Sequence, residues 1–310
     1  MEQKSQLSLA SRAPSHLKGR EIAVPASIAN LGPGFDTLAA AVQLYLRLRI
    51  HEVSAQDRNR LEFHFTNPLD GDNLIERAFD YLVNENERDF PSLIVDVQSE
   101  IPTQAGLGSS AAAIVAGLKL YEMLTGPRSL EELLTIACRI EGHPDNVAAA
   151  LYGGLTASCQ LADGSVIALS TPWPSGVRFV VLTPSVHVQT AEARRVLPAV
   201  ISRDDAVFNL QRVALLFQSL AKGDYRNLKE ALRDRWHQPF RSVLVPGLEK
   251  LLALEHPDLL GICLSGSGPS VVALAKRNFA EIELLLSQAY QPVGIRYQVR
   301  TLSAHQSELN

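Results

Sequence analysis

The sequence has little cysteine and no long apolar run. Its three cysteines, Cys138, Cys159 and Cys263, lie far apart without a CxxC pair, which argues against a zinc site or a disulfide framework and fits a reducing compartment. No stretch of 18 or more apolar residues occurs, so no membrane-spanning helix is expected. The net charge of −4 argues against a large basic face for nucleic acid. We therefore expect a cytoplasmic protein with neither a nucleic-acid nor a membrane partner.

The 310 residues and their 46% hydrophobic content are ordinary for a globular protein of one large domain or two smaller ones. Residues 1–19 lack the apolar core of a signal peptide and are predicted to form a disordered tail. Strand and helix patterns follow without regular βαβ alternation, which predicts an α+β fold. The predicted domains are residues 20–165 and residues 166–310.

One segment, IPTQAGLGSSAAAIVAGLKLYEMLTG (residues 101–126), places a Gly/Ser-rich turn directly before an alanine-rich helix. The first amide groups of a helix lack intrahelical partners and attract an anion. Gly106 and Gly108 would let a ligand approach the backbone, and Ser109 and Ser110 would cap the helix. The pattern predicts a phosphate-binding loop, although a simple strand-to-helix turn has the same appearance. Because no Walker lysine follows, amides and a metal ion must neutralise the phosphates, with Ser110 as a Mg²⁺ ligand.

Three further segments gather polar residues. In PASIANLGPGFDTL (residues 25–38), Asn30 and Asp36 flank a Gly-Pro-Gly turn that can direct both side chains into one space, or that is only a structural Asx turn. EGHPDNVAAALYGG (residues 141–154) holds four polar residues between two helices, as a site or as a helix cap. LSGSGPSVV (residues 264–272) has a Gly-rich turn that forms either an amide-lined concavity or only a tight turn.

Together these segments resemble the GHMP kinase superfamily and, within it, the homoserine kinases. IPTQAGLGSSAAA is similar to the superfamily's ATP loop and SGSGPS to its third motif. VPASIANLGPGFDTL and EGHPDNVA are similar to the homoserine kinase forms of the first motif and of the substrate segment. The resemblance covers about residues 20–305. It implies a GHMP kinase fold, with an ATP-binding N-terminal domain like domain 2 of ribosomal protein S5 and a ferredoxin-like C-terminal domain.

The resemblance also implies ligands and residue roles: ATP, Mg²⁺, L-homoserine, a place in threonine biosynthesis and a homodimer. It assigns nucleotide binding to Asn73, near the base and ribose, and to Pro102, Thr103, Gln104, Ala105, Gly106, Leu107, Gly108, Ser109, Ser110, Ala111 and Ala112. It assigns substrate binding to Asn30, Asp36, His143, Asp145, Asn146, Thr190, Arg194, Arg241, Gly266 and Ser267. The metal ligands would be Ser110 and Glu141, and the catalytic residues Asp36, Asn146 and Ser110.

The reaction that the resemblance implies is ATP-dependent phosphorylation of the L-homoserine hydroxyl. Arg194 and Arg241 suit the amino-acid carboxylate, and Asp36 or Asn30 suits its ammonium group or hydroxyl. Because phosphoryl transfer depends mainly on positioning and charge stabilisation, we expect no strong general base, with Asp36 as a base in the competing version. The alternative functions are a kinase for a mevalonate-type alcohol and a non-catalytic binding protein with this fold.

Overall fold

The computed structural model describes residues 15–68, 71–87 and 89–307. The first fourteen residues of the predicted tail lie outside this range. Ser15–Leu17 forms a short 3₁₀ turn, and the Leu17 side chain is buried in the main hydrophobic core. This apolar anchor orders the described end of the segment for which the sequence predicts disorder.

The first sheet contains six strands: β1 (Glu21–Ala29), β2 (Leu38–Arg58), β3 (Leu61–Phe65), β4 (Pro91–Ser99), β5 (Leu155–Gln160) and β6 (Val166–Thr171). Their order is β3-β4-β2-β5-β6, and β1 pairs with β2 outside this path. All these pairs are antiparallel except β3 with β4. The register of β1 against β2 shifts after Pro25, as expected where proline removes a ladder donor.

Helices α2 (Ser109–Thr125), α3 (Leu130–Glu141) and α4 (Asp145–Tyr152) pack against this sheet, and α1 (Leu74–Asn86) packs against α2. Helix α2 contacts the other three helices as well as β1 and β2, which explains why most of its residues are apolar. Gly117 lies where α2 meets α1, and a Cβ atom there would be 2.1 Å from the Ile75 carbonyl oxygen. The apolar residues and Gly117 therefore keep α2 buried, and its N-terminus lies at the glycine-rich turn.

The second sheet contains β7 (Arg178–Pro184), β8 (Leu259–Leu264), β9 (Val271–Ala275) and β10 (Tyr297–Leu302), in the antiparallel order β10-β7-β9-β8. Numbered from β7, this order is 4-1-3-2, which is the ferredoxin-like arrangement that the resemblance implies. Between these strands come α5 (Thr190–Arg195), α6 (Arg203–Lys222), α7 (Leu228–Ala231), α8 (Gln238–Arg241), α9 (Leu248–Leu252) and α10 (Phe279–Tyr290).

The structure places the boundary between the two sheets later than residue 165. Strand β6 forms a hairpin with β5 in the first sheet, so the predicted boundary would cut this hairpin. The chain also returns to the first sheet near its described end, where Ala304 pairs with Val42 and Gln306 with Gly153. One hydrophobic core extends from the first sheet to Phe179 and Val181 of β7. The two halves therefore share part of their core. Within the described ranges no helix is long and apolar enough to cross a membrane.

Candidate active site

A cleft brings the four polar segments together. Its lining includes Asn30 and Asp36 from the Gly-Pro-Gly turn, Gln104, Gly106, Gly108, Ser109 and Ser110 from the glycine-rich loop, and Glu141, His143, Asp145 and Asn146 from the segment before α4. Thr190, Arg194, Arg241, Gly266 and Ser267 complete the predicted members. Val188 and Gln189 also line the cleft, and no motif in the sequence marks them.

Some residues that the resemblance assigns to nucleotide binding do not line this cleft. Leu107, Ala111 and Ala112 are buried in the core, and Ala105 is buried as well. Pro102 is half-buried and Thr103 is exposed. Asn73 caps α1, and its Oδ1 accepts hydrogen bonds from the amides of Ile75 and Glu76. Their predicted nucleotide contacts stay predictions.

The glycine-rich loop ends at an uncapped helix N-terminus. Gly108 is the N-cap of α2 in the left-handed conformation, and no side chain caps the helix. The predicted capping by Ser109 and Ser110 is wrong, because both lie inside the first turn and Ser110 bonds elsewhere. The absence of a capping side chain leaves the first amide groups of α2 available to an anion.

The ligand approach expected at Gly106 and Gly108 stays a prediction, and the structure shows that both glycines are also needed for packing. Both have positive φ, 73° and 69°. A Cβ atom at Gly108 would lie 2.1 Å from Ser27 Oγ, and one at Gly106 would lie 2.3 Å from the Ser265 carbonyl oxygen. These glycines let three chain segments pack together, which is a requirement of the protein before any ligand binds.

Ser110 and Glu141 meet at the cleft. Ser110 Oγ donates to Glu141 Oε1 at 2.5 Å, although 31 residues separate them. Burial raises the pKa of Glu141 above its ordinary value, while His143 and the Ser110 hydroxyl oppose the shift. Within the described ranges no cluster of three His, Cys, Asp or Glu side chains forms a closed metal site. Mg²⁺ usually binds one or two protein oxygens together with waters and phosphate oxygens, so a hydroxyl beside one carboxylate fits it.

His143, Asp145 and Asn146 form one hydrogen-bonded group at the start of α4. His143 Nδ1 lies 3.0 Å from Asp145 Oδ1, which also accepts from the Asn146 amide at 2.7 Å. Asn146 Oδ1 accepts from the buried Ser27 hydroxyl at 2.7 Å. Burial lowers the pKa of His143, but its hydrogen bond to Asp145 and the charges of Asp145 and Glu141 outweigh this, so the pKa is raised overall. The group is thus held in a fixed arrangement against β1.

The Gly-Pro-Gly turn directs Asn30 and Asp36 into one space, as predicted. Both residues have positive φ, 70° and 53°, and Asn30 Oδ1 accepts from the Asp36 amide at 3.1 Å. Asn30 Nδ2 donates to the Gly266 carbonyl oxygen at 3.1 Å, which joins the turn to the second sheet. The turn therefore makes the Asx-type contact and also brings both side chains to the cleft.

The two predicted arginines differ in environment. Arg194 forms a bidentate ion pair with Asp36, at 2.9 Å from Nη1 to Oδ2 and 2.7 Å from Nη2 to Oδ1. Arg241 is only 2% exposed and donates from Nη1 to the Gly266 carbonyl oxygen at 2.8 Å. Burial and the charge of Arg194 lower the pKa of Arg241 to about 10, so its guanidinium stays charged at neutral pH. An acid beside two arginines complements a ligand that carries both signs of charge.

Three residues that the sequence did not single out support this arrangement. Ser27 holds Asn146, and Phe35 lies under both guanidinium groups, 5.5 Å from Arg194 Cζ and 5.3 Å from Arg241 Cζ. His237 is fully buried beside Arg241. Ser27 and Phe35 lie within the segment PASIANLGPGFDTL, and His237 precedes Arg241 by one helical turn, which is the only signal for it in the sequence.

Comparison with known families agrees with this geometry. The model of the GHMP kinases N terminal domain matches residues 73–154, and that of the GHMP kinases C terminal domain matches residues 216–290. The homoserine kinase of Solibacter usitatus is 39% identical over 292 residues, which cover 92% of this chain and 93% of that protein. The homoserine kinase of Microchaete diplosiphon is 40% identical and covers 91% of this chain and 94% of its own.

Solved structures agree as well. The homoserine kinase of Cytophaga hutchinsonii superposes with a TM-score of 0.80 at 28% identity, covering 92% of this chain and 95% of that chain. The mevalonate kinase of L. major, solved with R-mevalonate, has a TM-score of 0.68 at 17% identity and covers 96% of this chain and 100% of its own. At that identity the second likeness shows the fold alone.

Proposed function

The chain belongs to the homoserine kinases of the GHMP kinase family, and on that basis we propose that it transfers the γ-phosphoryl group of ATP to the hydroxyl of L-homoserine. The products are O-phospho-L-homoserine and ADP. The observation that carries the proposal is a single cleft that joins an uncapped helix N-terminus to an acidic residue and two arginines. A phosphate donor and a zwitterionic acceptor need these two features side by side.

The amino-acid end of the substrate suits the charged side of the cleft. The carboxylate of L-homoserine would bind the guanidinium groups of Arg194 and Arg241, and its ammonium group would bind Asp36. Because Arg194 and Asp36 already form a bidentate pair, the substrate would replace an internal salt bridge with two of its own. Asn30, His143 and Thr190 are the nearby polar groups that line the same cleft.

The phosphate end suits the N-terminus of α2. The amide groups that follow Gly108 would bind phosphate oxygens of ATP, without the lysine of a Walker loop. Ser110 and Glu141 would hold Mg²⁺, which supplies charge neutralisation at the phosphates when it is bound. The proposed anion site and the proposed metal site thus meet at the first turn of α2, with Glu141 contributed by the end of α3.

The protein's part in the chemistry is positioning. Asn146 is fixed by Ser27 and would orient the acceptor hydroxyl together with Asp36. A dissociative phosphoryl transfer requires little proton removal before the bond to phosphorus forms, so alignment and charge stabilisation dominate the rate. We therefore propose that no strong general base acts.

A mevalonate-type kinase is the second enzyme considered, since mevalonate kinases share the fold. Mevalonate carries a carboxylate but no ammonium group, so it would offer Asp36 no positive charge in place of Arg194. A non-catalytic binding protein would have no need of the Ser110–Glu141 pair. We also propose a cytoplasmic location and a homodimer, and light scattering of the purified protein is the direct test of the dimer.

The test is ADP release measured with L-homoserine, L-serine, L-threonine and R-mevalonate, each with and without Mg²⁺. We expect kcat/KM for L-homoserine to exceed that for the others by about tenfold or more, because chain length and charge both select it. Higher activity with mevalonate would replace the proposal with the second enzyme. ATP binding without turnover of any alcohol would favour the binding protein.

A further inference from the structure

His237 is buried at the junction between the Gly-Pro-Gly turn and Arg241. Its exposed fraction is 0%, and its Nε2 atom lies 2.7 Å from the Gly32 carbonyl oxygen. A carbonyl oxygen only accepts hydrogen bonds, so Nε2 carries the proton. In the neutral ring Nδ1 is then an acceptor, and it lies 3.3 Å from Arg241 Nη1, which donates. One imidazole therefore bridges the two elements that supply charged groups to the cleft.

The protein keeps this imidazole neutral. Burial is the largest influence and lowers the pKa of His237; the charge of Arg241 lowers it further, while Asp234, the Gly32 contact and Asp36 act in the opposite direction. The neutral form is the only one that both donates to Gly32 and accepts from Arg241. The tautomer and the charge state thus match the two contacts.

Asp234 fixes the backbone that carries His237. Its fully buried carboxylate accepts hydrogen bonds from the amides of Trp236, His237 and Gln238 at 2.8, 2.9 and 2.7 Å. It also accepts from Asn209 Nδ2 at 2.6 Å, and Asn209 Nδ2 in turn lies 3.3 Å from the Pro33 carbonyl oxygen. The turn is therefore held at two successive carbonyl groups, by His237 and by Asn209.

The turn also packs closely against the end of α7 and the start of α8. A Cβ atom at Gly32 would lie 2.2 Å from the Leu232 carbonyl oxygen. The Phe35 ring lies 5.5 Å from the His237 ring, centroid to centroid, and 5.3 Å from Arg241 Cζ. Movement of His237 would consequently displace Phe35, Arg241 or both.

We propose that His237 is a positioning residue for substrate recognition: it ties the carbonyl group of Gly32 to the guanidinium of Arg241 and thereby sets the place at which the amino-acid carboxylate binds. This inference rests on the proposed function. His237 makes no contact with the reacting atoms. It acts through Arg241, whose other hydrogen bonds run to the carbonyl oxygens of Ala193 and Gly266.

The test compares His237→Phe, which keeps the ring and loses both polar contacts, with His237→Gln, whose amide can still donate to Gly32. We expect His237→Phe to raise KM for L-homoserine by about tenfold or more while KM for ATP and kcat change little. In His237→Gln the KM for L-homoserine should return most of the way to the wild-type value. His256→Phe is the matched control, since His256 is a partly buried histidine outside the cleft whose Nδ1 accepts from the Asp258 amide.

A substrate analogue separates positioning from general damage to the fold. 3-Amino-1-propanol is L-homoserine without its carboxylate, so its inhibition constant against L-homoserine should be the same for wild type and His237→Phe. An equal loss of affinity for the analogue, for ATP and for L-homoserine would overturn the inference. If His237→Phe does not fold, His237→Asn replaces it, because its shorter amide cannot reach Gly32. Wild-type KM values in both the Asn and the Gln variants would also overturn it.

These outcomes are distinct from failure of the proposed function. If the wild-type enzyme does not phosphorylate L-homoserine, the proposed function fails. If it does and His237→Phe leaves its KM unchanged, only the inference about His237 fails.

Discussion

Asp36 shows at the scale of one residue how a charged group can serve both the protein and its ligand. Its carboxylate is paired with Arg194 through two hydrogen bonds, and its amide is held by Asn30. The backbone there has positive φ, an arrangement that aspartate tolerates better than most residues. The backbone at Asp36 is therefore held in an uncommon conformation, and this places the carboxylate opposite a guanidinium in the cleft.

Replacing Asp36 by Asn tests whether this carboxylate acts as a general base. We expect KM for L-homoserine to rise, because the ammonium group loses its charged partner, and kcat to fall by less than about a thousandfold. Steady-state rates with varied L-homoserine at saturating ATP give both constants. A larger loss in kcat with KM unchanged would assign proton abstraction to Asp36.

Glu141 gives a second prediction at this scale. Its carboxylate contacts the Ser110 hydroxyl, and this pair is the proposed Mg²⁺ site. Glu141→Gln should raise the Mg²⁺ concentration needed for half-maximal rate by at least about tenfold, because a charged ligand is lost. Glu131→Gln is the control, since Glu131 is an exposed acid on the same helix α3. An unchanged Mg²⁺ requirement in Glu141→Gln would place the metal elsewhere.

At the scale of elements, helix ends organise this protein. Helix α2 begins at a glycine without a side-chain cap, and α4 likewise begins without one at Pro144. Both starts lie at the cleft, where Ser109, Ser110, Asp145 and Asn146 line it. By contrast, α1, α3 and α6 begin with the side-chain caps Asn73, Ser129 and Ser202. The capped starts satisfy their own amides, whereas the start of α2 leaves amides for a ligand.

Asn73 offers a test at the level of the element, because the resemblance places it near the nucleotide while the structure makes it the cap of α1. Asn73→Ala should lower the free energy of unfolding by about 1 kcal/mol, and Asn73→Ser should retain most of it. If Asn73 also contacts the nucleotide, the stable Ser variant should still show a raised KM for ATP. Denaturant unfolding and ATP titrations of both variants decide this, and an unchanged KM in Ser would leave Asn73 as a cap only.

The whole molecule is joined where the chain returns from the second sheet to the first. After β10, the His305 amide donates to the Ala41 carbonyl oxygen at 2.8 Å, and the Tyr45 hydroxyl lies 3.1 Å from His305 Nδ1. Together with the shared core, these contacts fasten the ferredoxin-like sheet to the first sheet. A cleft built from both sheets depends on this attachment.

The stability of the whole molecule should depend on pH through His305. Burial lowers the pKa of His305 below the ordinary histidine value of 6.5, so the unfolded chain binds the proton more readily than the folded one. The stability that neutral His305 contributes is fully present above pH 6.5 and is lost as the pH falls through the lowered pKa of the folded state. We expect wild type to lose more unfolding free energy than His305→Phe between pH 8 and pH 5.5, measured by urea denaturation at each pH. Parallel pH curves for the two proteins would contradict this.

Local patterns in the sequence were enough to identify the α+β class, the strand β1, the helix behind the glycine-rich loop and the polar segments of the cleft. Each of these depends on hydrophobic periodicity or turn chemistry within about twenty residues. The motifs also identified the family, because their order along the chain is characteristic. For the same reason Asn30 and Asp36 were predicted correctly to share one space, since a single short turn controls both.

Only the tertiary structure decided the contacts between distant segments. Asp36 and Arg194 are 158 residues apart, and no local rule pairs them. Position 106 must be a glycine because Ser265 of the other half packs against its backbone, where a side chain would clash. Strand β6 belongs to the first sheet because it pairs with β5. In the sequence His237 looks like an ordinary helical residue, and only the structure shows that its two ring nitrogens contact Gly32 and Arg241. Local propensity fixes what a short segment prefers, whereas packing across the fold determines which segments meet and what their polar groups bind.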